Sequence, residues 1–189
     1  MSIDTFRTAS KSDAEAIAQL VNKAYRPETG SAGWTHESDF VSGNRTSAGQ
    51  VAEIMSTPDS VILVGLKDSE IVACIQVEKD GKNSHIGMLA VNPNLQGAGA
   101  GKHMLAHAES YANESFCSEK FIMAVVSSRS ELIAFYLRRG YQKTGAVHDY
   151  PLSAGVGTPK LSDLKIEALE KRSNFAFERD CAKARSPSI

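Results

Sequence analysis

The stretch Gln96-Gly-Ala-Gly-Ala-Gly-Lys102 constrains this chain more than any other. Its glycines stand at alternate positions. Glycine takes positive φ without steric cost, so the stretch reads as a tight turn with bare main-chain N–H groups. Upstream, the apolar run His85–Val91 reads as a strand. Asn92-Pro93 ends it, because proline brings no ladder N–H. Downstream, Met104, Leu105, Ala108, Tyr111 and Ala112 share one face of a helix over Gly99–Asn113. A strand, a glycine turn and a helix in that order suit a bulky anion. The bare N–H groups and the helix N-terminus both attract phosphate oxygens.

Two familiar phosphate-binding patterns do not fit. A Walker loop needs glycine five positions before Gly101, where Gln96 stands, and Ser or Thr after the lysine, where His103 stands. The dinucleotide pattern GxGxxG needs glycine at Lys102, and no repeated βαβ units surround it.

The rest of the chain supplies an α/β frame. Ile3 to Arg7 reads as a first strand. Ser12-Asp-Ala-Glu15 reads as a capping box opening a helix to about Tyr25. Arg26–Asn44 reads as a loop holding Trp34, and Ser47 with Gln50 caps a short helix to Met55. Ser60–Leu66, Ile71–Val77 and His85–Val91 form an antiparallel meander with turns at Lys67-Asp-Ser and Asp80-Gly81. Phe121–Val126 is a strand, and Glu131–Arg139 is a helix stopped by Gly140. Tyr141–Gly145 and Leu164–Leu169 are further strands. The expected fold is a mixed, mostly antiparallel sheet with helices on both faces. It spans residues 1–172 as one domain, with 173–189 as a tail.

The segment Gln96–Gly101 matches the pattern Gln/Arg-x-x-Gly-x-Gly/Ala in full. With the strand Gly87–Val91 and the segment Ala134-Phe-Tyr-Leu-Arg-Arg-Gly-Tyr141, it resembles the GNAT superfamily of acetyl-CoA-dependent N-acetyltransferases. The resemblance covers roughly Ile3 to Lys171. It implies that Gln96, Gly97, Ala98, Gly99, Ala100, Gly101 and Lys102 hold the cofactor pyrophosphate. It implies that Leu89, Ala90 and Val91 lie along the pantetheine arm, where the family's fourth and fifth strands splay. The Leu89 N–H then faces the thioester carbonyl, and Tyr136 is the acid that protonates the departing thiolate. Where the family often has an Asn touching the arm, this chain has Arg129, whose role is a contact to cofactor or acceptor.

For the acceptor, the resemblance points to the loop after the first helix. Trp34, Glu37 and Arg45 are candidates there, with Tyr150 opposite. No base is marked, but His85, His148 and Asp149 are candidates. The expected reaction is direct attack of a primary amine on acetyl-CoA in a ternary complex. A non-catalytic acyl-CoA-binding or regulatory module on the same fold is the alternative. A homodimer is left open.

Composition sets outer bounds. Lys plus Arg is 21 and Asp plus Glu is 22, a net charge of −1, so no bulk field draws the chain to nucleic acid or an anionic membrane. No apolar run is long enough to span a bilayer, and no leader-like segment opens the chain, which suggests a cytoplasmic protein. Three widely spaced cysteines without CxxC suggest neither a zinc site nor a disulfide framework. His103 and His107 are four apart on the expected helix, but Met104 stands where a metallopeptidase has Glu, so no metal is expected.

Overall fold

The computed structural model describes residues 3–27 and 35–174. Trp34 and, from residue 175 on, the tail lie outside the described residues. The strands β1 (Thr5–Thr8), β3 (Ser60–Lys67), β4 (Glu70–Asp80), β5 (Asn83–Val91), β6 (Lys120–Val126), β7 (Gln142–Asp149) and β9 (Lys165–Arg172) form one sheet. Its order is β1-β3-β4-β5-β6-β9-β7. Only β5 and β6 run parallel; every other neighbouring pair is antiparallel. The parallel pair exists because α3 (Ala100–Phe116) carries the chain over the sheet between them. A mostly antiparallel α/β sheet is the fold expected from the sequence.

Helices cover both faces. On one face α1 (Ala14–Tyr25) and α2 (Ala48–Ser56) pack Ile17, Val21 and Val51 onto Ile62, Val64, Cys74, Met88 and Ala90. On the other, α3 and α4 (Ser130–Leu137) pack Met104, Leu105, Ala108, Ile133 and Phe135 onto Leu63, Ile75, Ile86, Val91, Phe121 and Met123. The strand pleat alternates faces, so Leu63 joins one core and its neighbours Ile62 and Val64 the other. In β5 the alternation breaks. Ile86 and Met88 lie two apart yet enter opposite cores. The extra residue stands at Met88–Leu89, where β5 carries two residues against one in β4.

Several local expectations shift. The start of α1 is preceded by a 3₁₀ turn at Lys11–Asp13, and the box forms two residues earlier than Ser12, at Ser10 with Asp13. The Asp13 carboxylate accepts from the Ser10 backbone N–H at 2.7 Å and from both Arg7 guanidinium nitrogens at 2.7 and 3.0 Å. Glu15 instead accepts from Gln19. The box at Ser47 and Gln50 is present as expected. The β7 strand runs four residues beyond Gly145, with every residue exposed, because it is an edge strand. The two long loops are tied by a small ladder of β2 (Val41–Ser42) on β8 (Thr158–Pro159). Under it, Val41, Val126, Tyr150 and Leu164 form a third cluster. Cys74 is a free, buried thiol, whereas Cys117 is disulfide-bonded, although the spacing of the three cysteines suggested no disulfide framework.

A candidate active site where the sheet splits

The β5 and β6 strands pair only through Asn83–Lys120, Ser84–Phe121 and His85–Ile122. Past that point each follows its other neighbour: β5 stays with β4 to Val91, and β6 stays with β9 to Val126. A sheet whose adjacent strands part in this way opens a wedge. The inserted residue lies on its wall. Cys74 opposes Ala90 and Gln76 opposes Gly87, so β5 carries one residue more than β4 across this span. Met88 takes φ +50, a conformation costly for a residue with a Cβ. Neither Met88 nor Leu89 has a registered partner in β4.

Two cavities meet in this wedge. The first is lined by Leu89, Val91, Gln96, Gly97, Gly99, Gly101 and Lys102, with Arg129, Phe135 and Arg139 across from them. Gly97 and Gly99 have φ of +81 and +90. A Cβ at Gly97 would meet nothing within 4 Å, and one at Gly99 only the His103 ring at 4.0 Å, so the space over the turn is open. Gly99 is the N-cap of α3, and, having no side chain, it makes no side-chain cap hydrogen bond. The first N–H groups of this long helix are therefore available to a ligand, with the positive end of its dipole behind them. The Gln96 side chain turns inward and donates to the Val91 carbonyl at 3.2 Å, fastening the turn to the end of β5. Ala90 and Ala100 are buried in the two cores, and Ala98 is exposed. Only main-chain atoms of Ala90 and Ala100 can serve a ligand.

The second cavity, about 320 Å³, lies on the other side of the wedge. Tyr25, Glu37, Arg45, Tyr136 and Tyr150 all line it, so distant parts of the sequence converge there. Leu89, Tyr25, Arg129 and Leu132 line both cavities and mark the junction. The Tyr136 ring packs edge-on against Phe135 and Tyr141. Burial pushes its phenol well above the usual tyrosine range; nearby Tyr25 adds to this, while Arg129 and Arg139 oppose it.

Glu37 and Arg129 are more committed than the sequence suggests. The Glu37 carboxylate accepts from Arg26 at 2.6 Å and from Arg129 at 2.8 Å, with all three side chains less than a tenth exposed. Arg129 also donates to Thr35 Oγ1 at 2.8 Å. This network ties the loop after α1 to the start of α4. Glu37 is thus no free carboxylate waiting for a cationic amine. The Tyr150 hydroxyl donates to the Val156 carbonyl at 2.9 Å. Of the candidate bases, His85 lines the second cavity and lies 3.2 Å from Asp80. His148 and Asp149 line neither cavity, and Asp149 is paired with Lys165. His107 stacks on Phe6.

Sequence reasoning missed Tyr25, Leu132, Phe135 and Arg139, which read as ordinary helix residues. The Arg138-Arg139 pair at the end of α4 was the one available signal. Arg139 folds its guanidinium over the Phe135 ring at 3.4 Å, inside the first cavity.

Among solved structures the chain is similar to the ribosomal-protein-S18-alanine N-acetyltransferase of Escherichia coli. The TM-score is 0.68 at 15% identity, over 93% of this chain and 97% of that one. It is also similar to a point mutant of the Vibrio cholerae spermidine N-acetyltransferase, with TM-score 0.64 at 12% identity, over 89% and 95% of the two chains. A third likeness is to a protein described as a streptothricin acetyltransferase, from Bacillus anthracis, solved with acetyl coenzyme A. There the TM-score is 0.53 at 20% identity, over 64% of this chain and 66% of that one. No curated protein sequence matched. No helix among the described residues is long and apolar enough to cross a membrane. The model of the acetyltransferase (GNAT) family matches residues 15–141, which hold the glycine turn, the split strand and Tyr136, and the chain belongs to that family.

Proposed function

We propose that the protein transfers an acetyl group from acetyl-CoA to a primary amine, with both bound together and the amine attacking the thioester directly. The observation that carries this reading is the junction of the two cavities at Leu89, inside the split of the sheet. Acetyl-CoA supplies an activated acyl group. The open turn at 96–102, the uncapped first turn of α3 and Lys102 suit its pyrophosphate, and Arg139 adds a second cation. The free edge of β5 at Leu89, Ala90 and Val91 suits the two amides of the pantetheine arm, as a strand would. Leu89, beside the bulge, presents its N–H to the carbonyl oxygen. Tyr136 keeps its proton at neutral pH and stabilises the leaving thiolate by donating a hydrogen bond.

Direct attack is favoured because Cys74 is not a usable nucleophile. It is fully buried, lines neither cavity, and burial pushes its thiol up to about 12. His85, on the wall of the second cavity, is placed to pass the ammonium proton to water.

The test is calorimetry with CoA and acetyl-CoA, followed by thiol release over a panel of amines. Saturable uptake and amine-dependent thiol release are expected. Uptake with no release across the panel favours a binding module instead, and absence of uptake removes the reading.

A further inference from the structure

We propose that the acceptor is a free α-amino acid whose carboxylate is held by Arg45 and Arg129 beside the Tyr25 ring. This rests on the acetyltransferase reading above and names its substrate class.

The first ground is charge. Arg45 and Arg129 line the second cavity together with Glu37, and Arg26 shares the Glu37 carboxylate with Arg129. One carboxylate shared by two guanidiniums leaves positive charge over. Arg45 adds to the excess: among the described residues no carboxylate pairs with it, and its guanidinium instead lies over the Tyr25 ring at 5.4 Å from the centroid. Arg129 lies over the same ring, also at 5.4 Å. Its Nε is buried with no hydrogen-bond partner among the described residues. A buried donor without an acceptor is costly in the free protein, and an anion placed beside the guanidinium offsets that cost through its charge.

The second ground is place. The cofactor's phosphates do not account for this charge, because Arg45 lines the acceptor cavity and is absent from the cavity at the glycine turn. Tyr25 and Arg129 stand at the junction, where the amine must meet the thioester. The anion they hold must therefore lie close to the attacking nitrogen, as the carboxylate of an α-amino acid does. A peptide N-terminus has an amide there, and a polyamine brings only like charge. Glu78, the other acidic side chain on the cavity wall, is exposed on the strand that forms its outer mouth. The neighbouring cations also favour the neutral, attacking form of the amine.

The experiment compares kcat/KM for the twenty common α-amino acids with that for their carboxamides, and with spermidine and an alanyl peptide. Rates are expressed per free amine, with CoA affinity measured alongside. At least one amino acid should be acetylated, at least about 10-fold better than its carboxamide. Arg45→Gln should cut that acid-to-amide ratio by roughly 10-fold, with Arg45→Lys restoring part of it. The ratio cancels losses that come merely from a weakened fold. The inference is overturned if no free amino acid is acetylated, if amides match acids, or if Arg45→Gln leaves the ratio unchanged. CoA uptake with transfer to spermidine or peptide alone overturns this inference but keeps the acetyltransferase reading; no CoA uptake removes both.

Discussion

In Tyr136 a packing role and the proposed chemistry meet in one side chain. It is 6% exposed and packed among rings, yet it lines the acceptor cavity. Tyr136→Phe keeps the packing and removes only the hydroxyl. Turnover should fall about 100-fold while CoA affinity, read by calorimetry, stays as in the parent. Equal turnover would leave Tyr136 a packing residue. Its proton is held more firmly than that of an ordinary tyrosine. The mildly alkaline limb of the pH–rate profile should therefore owe nothing to Tyr136, and Tyr136→Phe should retain that limb. Arg129 is a second case. Its position seven before Tyr136 was legible, but its bond to Glu37, 92 residues away in sequence, was not.

Among the elements, the turn leading into α3 is the most exacting. Gly99 sits at φ +90 with open space above it, so a side chain there meets strain rather than a clash. Gly99→Glu adds a negative charge at the positive end of α3, where the proposed pyrophosphate would lie. CoA affinity should drop by at least about 100-fold, with Tm within a few degrees of the parent, as checked by calorimetry and thermal melts. The bulge in β5 is the matching device on the strand side. It re-aims the chain, sending Met88 to one core after Ile86 has gone to the other, and it leaves Leu89 on the wedge wall. From sequence, His85–Val91 is simply an apolar strand, since a run without alternation hides an inserted residue.

At the scale of the whole molecule, the loop after α1 is part of the site because a buried ion network holds it there. Removing the shared carboxylate strands two buried guanidiniums. Glu37→Ala should cost about 3 kcal/mol, a fall in Tm of roughly 6–12 °C, measured by thermal and urea unfolding. A change near zero would show that the network only decorates the loop. The same loop meets the segment after β7 through the β2–β8 ladder, so the acceptor cavity closes only when the last third of the chain has come back.

The sequence by itself determined the local pieces: the meander, the glycine turn, the helix that follows it and the capping box at Ser47. Each is written in one continuous stretch of sequence, where propensity, periodicity and turn chemistry act. Tertiary structure alone decided that β9 lies between β6 and β7, and it fixed the point where β5 parts from β6, a splay that only the family resemblance implied beforehand. It also decided that Tyr25, Arg45, Arg129 and Tyr150 face one space. Those outcomes depend on contacts between segments up to 125 residues apart, and such pairings leave no periodic mark on either partner. A glycine turn can be read from its own letters, whereas a cavity is made where strangers in sequence become neighbours.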